Sequence, residues 1–207
     1  MTLSASEVNK LKHAPDVEGV LPAILERWSP RAFADHDVST DDLKKVFEAA
    51  RWAPSSNNEQ PWRFIVGIRN SETYQKILAS LVPFNQAWAH SAPVLILGVA
   101  KTTFSPKETP NNYAAHDLGA ATVLITLEAV SLGLVTHQMA GFDQAKARET
   151  LGIPEGYAFG SVMALGYQGE PASLTNENQL TSEVAPRTRK PLSEIVLSAW
   201  NEPAKLF

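Results

Sequence analysis

The sequence predicts an α+β fold, and three observations carry the prediction. Helical and strand-like segments interleave without a strict βαβ period, which disfavours a doubly wound sheet. "APVLILGVA" (92–100) is a continuous apolar run of the kind that forms a strand buried on both faces. "NYAAHDLGAATVLITLEAVSL" (112–132) is the longest helical stretch, apolar or small around most of its circumference, so it belongs inside the molecule or at an interface. The chain has 207 residues, 44% hydrophobic and 19% charged, which suits one globular domain spanning 1–207. A domain of this size buries about 70% of the surface its unfolded chain exposes. Residues 1–16 read as an N-terminal arm and 170–207 as a C-terminal extension.

The elements follow in chain order. Val17, Val20, Leu21, Ile24, Leu25 and Trp28 recur at helical spacing, giving a first helix to about Trp28 that Pro30 stops. Ser39 and Asp42 resemble a capping box, and Leu43, Val46, Phe47 and Ala50 form the stripe of a second helix ending before Pro54. "PWRFIVGI" is aromatic and β-branched and reads as a strand. Tyr74, Ile77, Leu78 and Leu81 mark a third helix, followed by the buried strand and the long helix, which Gly133 ends. Asp143 caps a short helix closing at Gly152, "YAFGSVMALGY" is another strand, 170–189 is a polar loop, and "PLSEIVLSAW" closes the chain as a helix.

Composition excludes several classes of function. A net charge of −4 argues against a nucleic-acid binder. The absence of cysteine removes disulfides, thiolate nucleophiles, iron–sulfur clusters and Cys-ligated zinc. The five histidines have no paired ligand spacing, so no metal is expected. There is no GxSxG elbow, P-loop, HExxH or GxGxxG after a strand. His116 followed by Asp117 suggests a base and its orienter, but neighbours on a helix point in different directions. The opening segment has no apolar core of a signal peptide and no run is long enough to span a bilayer, so a cytoplasmic protein without a membrane partner is expected.

Two features stand out. "ERWSPRAF" sets Arg27, Ser29 and Arg31 at a proline-forced turn, and "APRTRKPL" supplies Arg187, Arg189 and Lys190. Brought together they would clamp a phosphate, because guanidinium forks match its oxygens bidentately. Taken alone they read as two solvated charge runs. The corner "PSSNNEQP" holds more hydrogen-bonding residues than a turn needs.

"RWSPRAF", "AARWAPSSNNEQPWRF", "GFD" and "PRTRKPL" occur in the order seen in the nitroreductase family of FMN-dependent oxidoreductases, which the chain resembles from about Leu21 to Val196. The resemblance implies a nitroreductase-like fold with a central mixed, mostly antiparallel sheet flanked by helices. It implies a homodimer with FMN sites at the subunit interface, the C-terminal extension packing on the partner. Arg27, Ser29 and Arg31 stand where the family grips the FMN phosphate and ribityl chain, with Arg187 and Arg189 adding charge. Trp28 replaces a common Arg or His, leaving only its backbone to serve. Pro54, Ser55, Ser56 and Asn58 match the loop along the flavin, partly from the second subunit. Asn85 matches an asparagine facing the pyrimidine edge, and Gln138, Met139, Ala140 and Gly141 match the segment near N5.

By the same resemblance, NADH or NADPH delivers hydride to N5, leaves, and an oxidised small molecule enters the same pocket: nitroaromatics, quinones or related conjugated acceptors. No side chain is expected to be catalytic, the chemistry lying at the flavin. Phe84, Trp88, Phe104 and Tyr113 are candidates for a flat apolar substrate slot, each with the alternative of a core role. A specialised branch of the fold (reductive dehalogenation, flavin breakdown or azoline oxidation) and a non-catalytic flavin-storage protein are the competing readings.

Overall fold

The computed structural model describes residues 3–105 and 107–206. Its centre is a four-stranded sheet in the order β1-β2-β6-β5, formed by β1 (Trp62–Ile68), β2 (Val94–Lys101), β5 (Val135–Met139) and β6 (Tyr157–Gly166). Every strand pairing in it is antiparallel, so the mixed component expected of the sheet is absent among the described residues. Two small hairpins lie outside it, β3 (Thr103–Phe104) with β4 (Thr109–Pro110) and β7 (Leu197–Ala199) with β8 (Glu202–Pro203).

Helices cover both faces of the sheet. They are α1 (Ala5–Lys12), α2 (Pro22–Glu26), α3 (Thr40–Arg51), α4 (Glu72–Ser80), α5 (Pro83–Ala89), α6 (Ala114–Ser131), α7 (Gln144–Leu151), α8 (Glu177–Val184) and α9 (Leu192–Ile195). Side chains of a strand alternate between faces, and β2 shows the consequence. Leu95, Leu97 and Val99 join one core with Tyr74 and Ile77 of α4, Trp88 of α5 and Ala147 of α7. Val94, Ile96 and Ala100 join the other with Val46 of α3 and Leu118 and Ile125 of α6. Each fully buried Leu or Ile contributes about 1.5–3 kcal/mol relative to exposure. The continuous apolar pattern of β2 is therefore the sign of a central strand in a three-layer molecule.

Helix α6 seats closely on the sheet because Gly160 offers no side chain: a Cβ there would lie 2.7 Å from Leu118 Cδ2. Thr122 and Thr126, buried on α6, return their hydroxyls to the carbonyls of Leu118 and Thr122 at 2.7 and 3.2 Å, so the polar groups of this face are satisfied locally. The caps of α3 and α7 follow the sequence: Ser39 Oγ accepts from Asp42 N–H, and the Asp143 side chain accepts from Lys146 N–H.

Four segments differ from the sequence prediction. The first predicted helix contracts to Pro22–Glu26, because Gly19 turns with φ +82° before the proline that opens the helix. The N-terminal arm contains α1, held by a full capping box between Ser4 and Glu7. The polar stretch 170–189 contains α8, capped by Asn176. The terminal segment 191–200 keeps only four helical residues in α9, and Asn201 at φ +65° makes the turn between β7 and β8.

Candidate functional site

The segment from Arg27 to Ala32 joins α2 to the core without regular structure, and its backbone is held by three side chains from elsewhere. Arg187 donates to the carbonyls of Arg27 and, at 2.8 Å, Leu25. Arg31 N–H reaches both carboxylate oxygens of Glu183 at 2.9 and 3.0 Å, and Ala32 N–H reaches Glu183 Oε1 at 3.0 Å. His137 Nδ1 lies 3.0 Å from the Pro30 carbonyl, which makes it the protonated nitrogen of a neutral ring. Trp28 turns inward, its indole N–H donating to Asn9 Oδ1 at 2.8 Å with Lys12 Nζ 4.9 Å from the ring centroid.

The side chains of this segment are left over. Among the described residues, Arg27, Ser29 and Arg31 make no side-chain hydrogen bond and Arg27 and Arg31 no ion pair, and Arg31 Nε is buried with no acceptor. A cavity of about 480 Å³ opens beside Arg27, lined by it and by Arg187 and Arg189 with His13, Ile24 and Leu25; Ser29 and Arg31 are not part of its lining. Burial, and secondarily the neighbouring Arg189, lowers the pKa of Arg27; burial followed by Arg27 and Arg189 lowers that of Arg187. Lys12 is lowered by burial, and Arg31 and Arg187 add to that effect against the opposing charge of Glu183. Arg27, Arg187 and Arg189 thus press on one another, and Lys12 lies between Arg187, Arg31 and the buried carboxylate of Glu183. Such a cluster is stabilised by an anion from outside the chain. The two arginine runs, far apart in sequence, meet here.

A second group forms at the end of β5. Gly141 carbonyl accepts from Val82 N–H at 3.1 Å and from Asn85 Nδ2 at 3.0 Å, so Asn85 is brought to the segment Gln138–Gly141. A Cβ on Gly141 would lie 2.9 Å from Asn85 Nδ2 and 3.0 Å from Val82 Cγ2, so a larger residue there would displace the Asn85 amide. Gln138 and Ala140 are exposed while Met139 points into the core. Ser161 donates to Gln138 Oε1 at 3.0 Å. His137 connects this group to the arginine segment: it precedes Gln138 in the strand and grips Pro30. Burial, with Arg31 as the lesser cause, pushes its pKa down to about 4.

The third group stands apart. No hydrogen bond among the described residues joins the loop Pro54–Gln60 to either of the other two. The loop is fixed largely by itself: Gln60 N–H donates to Ser55 Oγ at 3.0 Å and Gln60 Nε2 to the Asn58 carbonyl at 2.9 Å. Asn57, Asn58 and Gln60 all have φ between +51° and +56°, a region asparagine tolerates better than most residues. Asp117, buried in the first turn of α6, accepts from Ser56 N–H at 3.0 Å and lies 3.2 Å from His116 Nδ1. The neighbouring pair that helix geometry argued against does meet, and it serves to anchor this loop. Several of the polar residues at the corner are therefore spent on the turn, leaving the exposed Asn57 and Asn58 side chains without a hydrogen bond among the described residues.

The four aromatic candidates do not form one slot. Trp88 is 1% exposed and stacks on Phe33 at 6.2 Å, a core residue, which removes it from any substrate surface. Phe84 and Tyr113 are exposed and Phe104 is half-buried in the β3–β4 hairpin. His137 and Glu183 were not singled out on the sequence as site residues, and Asp117 was considered only as an orienter of His116. Their roles depend on burial beside backbone groups of distant segments, which no local motif encodes.

Comparison with known proteins decides the family. The nitroreductase family model matches residues 24–82 and 68–167. The chain belongs to the nitroreductase family. An Archaeoglobus fulgidus protein provisionally named NADH dehydrogenase/NAD(P)H nitroreductase is 35% identical over 156 residues, 73% of this chain and 86% of that protein. The NADH dehydrogenase of Thermus thermophilus is 28% identical over 208 residues, 84% of this chain and 93% of its own. Among solved structures, an oxidoreductase containing FMN superposes with a TM-score of 0.83 at 32% identity, covering 89% of this chain and 94% of that one. A nitroreductase family protein from Clostridium difficile superposes at 0.64 with 28% identity, covering 83% and 93%. The sheet and helical layers described above are thus those of a nitroreductase, as the sequence motifs led one to expect. Among the described residues no helix is long and apolar enough to cross a membrane, and no group of three or more His, Asp or Glu side chains is placed to hold a metal.

Proposed function

We propose that this nitroreductase binds FMN and uses it to carry electrons from NADH or NADPH to a conjugated acceptor, nitroaromatic or quinone, with donor and acceptor taking turns at one face of the ring. The observation that carries the proposal is an arginine cluster with no ion pair among the described residues, above all the buried Arg31 Nε with no acceptor of its own. A phosphate monoester fits it in charge and in hydrogen-bond chemistry. Arg27, Arg31, Arg187 and Arg189 would hold the phosphate and Ser29 the ribityl chain. Asn85, whose Nδ2 is fixed by Gly141, would offer its free Oδ1 to the ring edge, while the backbone of Gln138, Met139, Ala140 and Gly141 runs alongside. Bound FMN supplies the hydride chemistry that no side chain of this chain provides. The protein's part is position and exclusion of water, and no acid or base side chain is assigned to the reaction.

The separate loop of Pro54, Ser55, Ser56 and Asn58 supports a homodimer in which it completes the partner's site. Exposed apolar residues supply the surface for it: Trp52, just past the end of α3, is 72% exposed, and Ile195 and Trp200 of the C-terminal extension are 61% and 86% exposed. We propose that residues 191–206 pack on the partner subunit. A chain ending at residue 190 should sediment as a monomer and lose flavin; a dimer of unchanged stability would contradict this interface.

The test of the function is spectroscopic. Protein loaded with FMN should be yellow and should bleach within seconds when NADH or NADPH is added without oxygen, and recover on addition of a quinone or nitroarene. Yellow protein that neither nucleotide bleaches would instead indicate flavin storage. Protein that cannot be loaded with FMN would overturn the proposal.

A further inference from the structure

Among the described residues Glu183 is the carboxylate buried beside Arg31 and Lys12, and its side chain is fully buried. Burial raises its pKa, against the lowering effect of the Ala32 and Arg31 N–H groups and of the charges on Arg31 and Lys12. Burying an ionisable group among cations that would otherwise serve a phosphate weakens that site electrostatically, so the position needs another reason. Its geometry supplies one. Both carboxylate oxygens are turned to the backbone N–H of Arg31, and Oε1 also takes that of Ala32. Two successive N–H groups aimed the same way are themselves an anion-binding element. An internal carboxylate there fixes the backbone from which the Arg31 side chain, with its buried and unpartnered Nε, departs. Glu183 is held in turn: Lys12 Nζ donates to the Ser182 carbonyl at 2.9 Å, and Arg187, four residues further along and past the end of α8, grips the carbonyls of Leu25 and Arg27.

We propose that Glu183 is a positioning residue for flavin phosphate recognition: by accepting the Arg31 and Ala32 N–H groups it sets the orientation of the arginine segment, and so selects phosphorylated over unphosphorylated flavin. This rests on the FMN reading above. It assigns Glu183 no contact with the flavin.

The experiment compares FMN with riboflavin, which has the same ring and ribityl chain but no phosphate. Dissociation constants for both are measured by fluorescence quenching on full-length wild-type, Glu183→Ala and Glu183→Gln proteins, with apo-protein melting curves alongside. For Glu183→Ala the preference for FMN over riboflavin should fall about tenfold or more, as expected for lost hydrogen bonds to a charged group, with riboflavin affinity changing less than about threefold. Glu183→Gln, whose Oε1 still accepts both N–H groups, should recover most of the preference. Equal weakening of FMN and riboflavin in Glu183→Ala, or no recovery in Glu183→Gln, would overturn the proposal whatever the melting curves show. Should Glu183→Ala not fold, Glu183→Asp serves in its place: its shorter reach should lower the preference while the charge is kept, and a wild-type preference there would overturn it. Wild-type protein that binds neither flavin would overturn the FMN reading and this inference together, a result distinct from a change confined to the variants.

Discussion

The arginine segment 27–32 and the polar loop 54–60 solve the same problem in opposite ways. The first is pinned through its backbone by side chains from elsewhere, Arg187, Glu183 and His137, and keeps its own side chains for a ligand. The second is pinned mainly by its own side chains and by left-handed backbone at three of its residues, with anchors from outside in Asp117 and in the Ser105 N–H that donates to Glu59 Oε2 at 3.0 Å. The difference teaches where binding energy and where shape come from. A charge-binding site needs free side chains on a fixed backbone, whereas a loop that lies along a flat surface needs a fixed contour.

Mutations at the two regions should separate these roles. The largest effect is expected for Arg31→Ala and Arg187→Ala, each weakening FMN about a hundredfold in a fluorescence titration, the loss of charge-assisted hydrogen bonds to a phosphate. Arg187→Ala should also lower stability, because it frees the carbonyls of Leu25 and Arg27, whereas Arg31→Ala should not. Equal stability losses would erase the distinction between the two arginines.

In the polar loop the effect moves from affinity to stability. Asp117→Ala leaves the Ser56 N–H without its acceptor and should cost about 1–3 kcal/mol in urea unfolding, with FMN affinity in the intact subunit falling far less than in the arginine variants. A larger loss of FMN than of stability would contradict the view that this loop supplies contour.

A third prediction concerns pH at the junction between the arginine segment and β5. The folded-state pKa of His137 lies at about 4, below its ordinary value of 6.5. The unfolded chain therefore takes up the proton first, and the stability this residue supports, present above pH 6.5, is lost as pH falls through that window toward 4. Solvent screening at this partly accessible ring limits the effect to about 2 kcal/mol. Urea unfolding at both ends of the window should show that much less acid sensitivity in His137→Gln than in the wild type. Glu183, with its raised pKa, acts in the opposite direction but equally in both proteins. No difference between them would mean that His137 is as accessible to protons as it is in the unfolded chain.

The smallest effect is expected at Gln60, whose φ of +51° is costly for a residue with a long side chain. Gln60→Gly relieves that strain but loses the bond to the Asn58 carbonyl, so unfolding should change by less than about 1 kcal/mol. A larger destabilisation would show that the side-chain bond, and not the backbone, holds the contour.

How legible these regions were in the sequence follows the same division. The strands of the core and the caps of α3 and α7 are local patterns, and the structure has them where Ser39, Asp143 and the apolar runs put them. The short helix α5 opens with Pro83, a residue more easily read as a stop, and α8 is polar on the surface while hiding Gln179 and Glu183 beneath. Strand β5 is short and includes His137 and Gln138, so no alternation announces it. The arginine runs were visible as motifs, but that they meet is a property of the fold. Glu183 and Asp117, buried acids that hold backbone N–H groups across the chain, carry no signature a sequence pattern could reveal. Trp88 shows the reverse case, an aromatic residue near a candidate site whose place is the core.

The central claim is that Arg27, Ser29 and Arg31, with Arg187 and Arg189, form a phosphate clamp. Titrating wild-type apo-protein with FMN and with riboflavin at low and high ionic strength tests it most directly. The account predicts that FMN binds more tightly by about a hundredfold and that this advantage shrinks as salt screens the exposed part of the cluster. Equal affinity for the two flavins at low salt would contradict it.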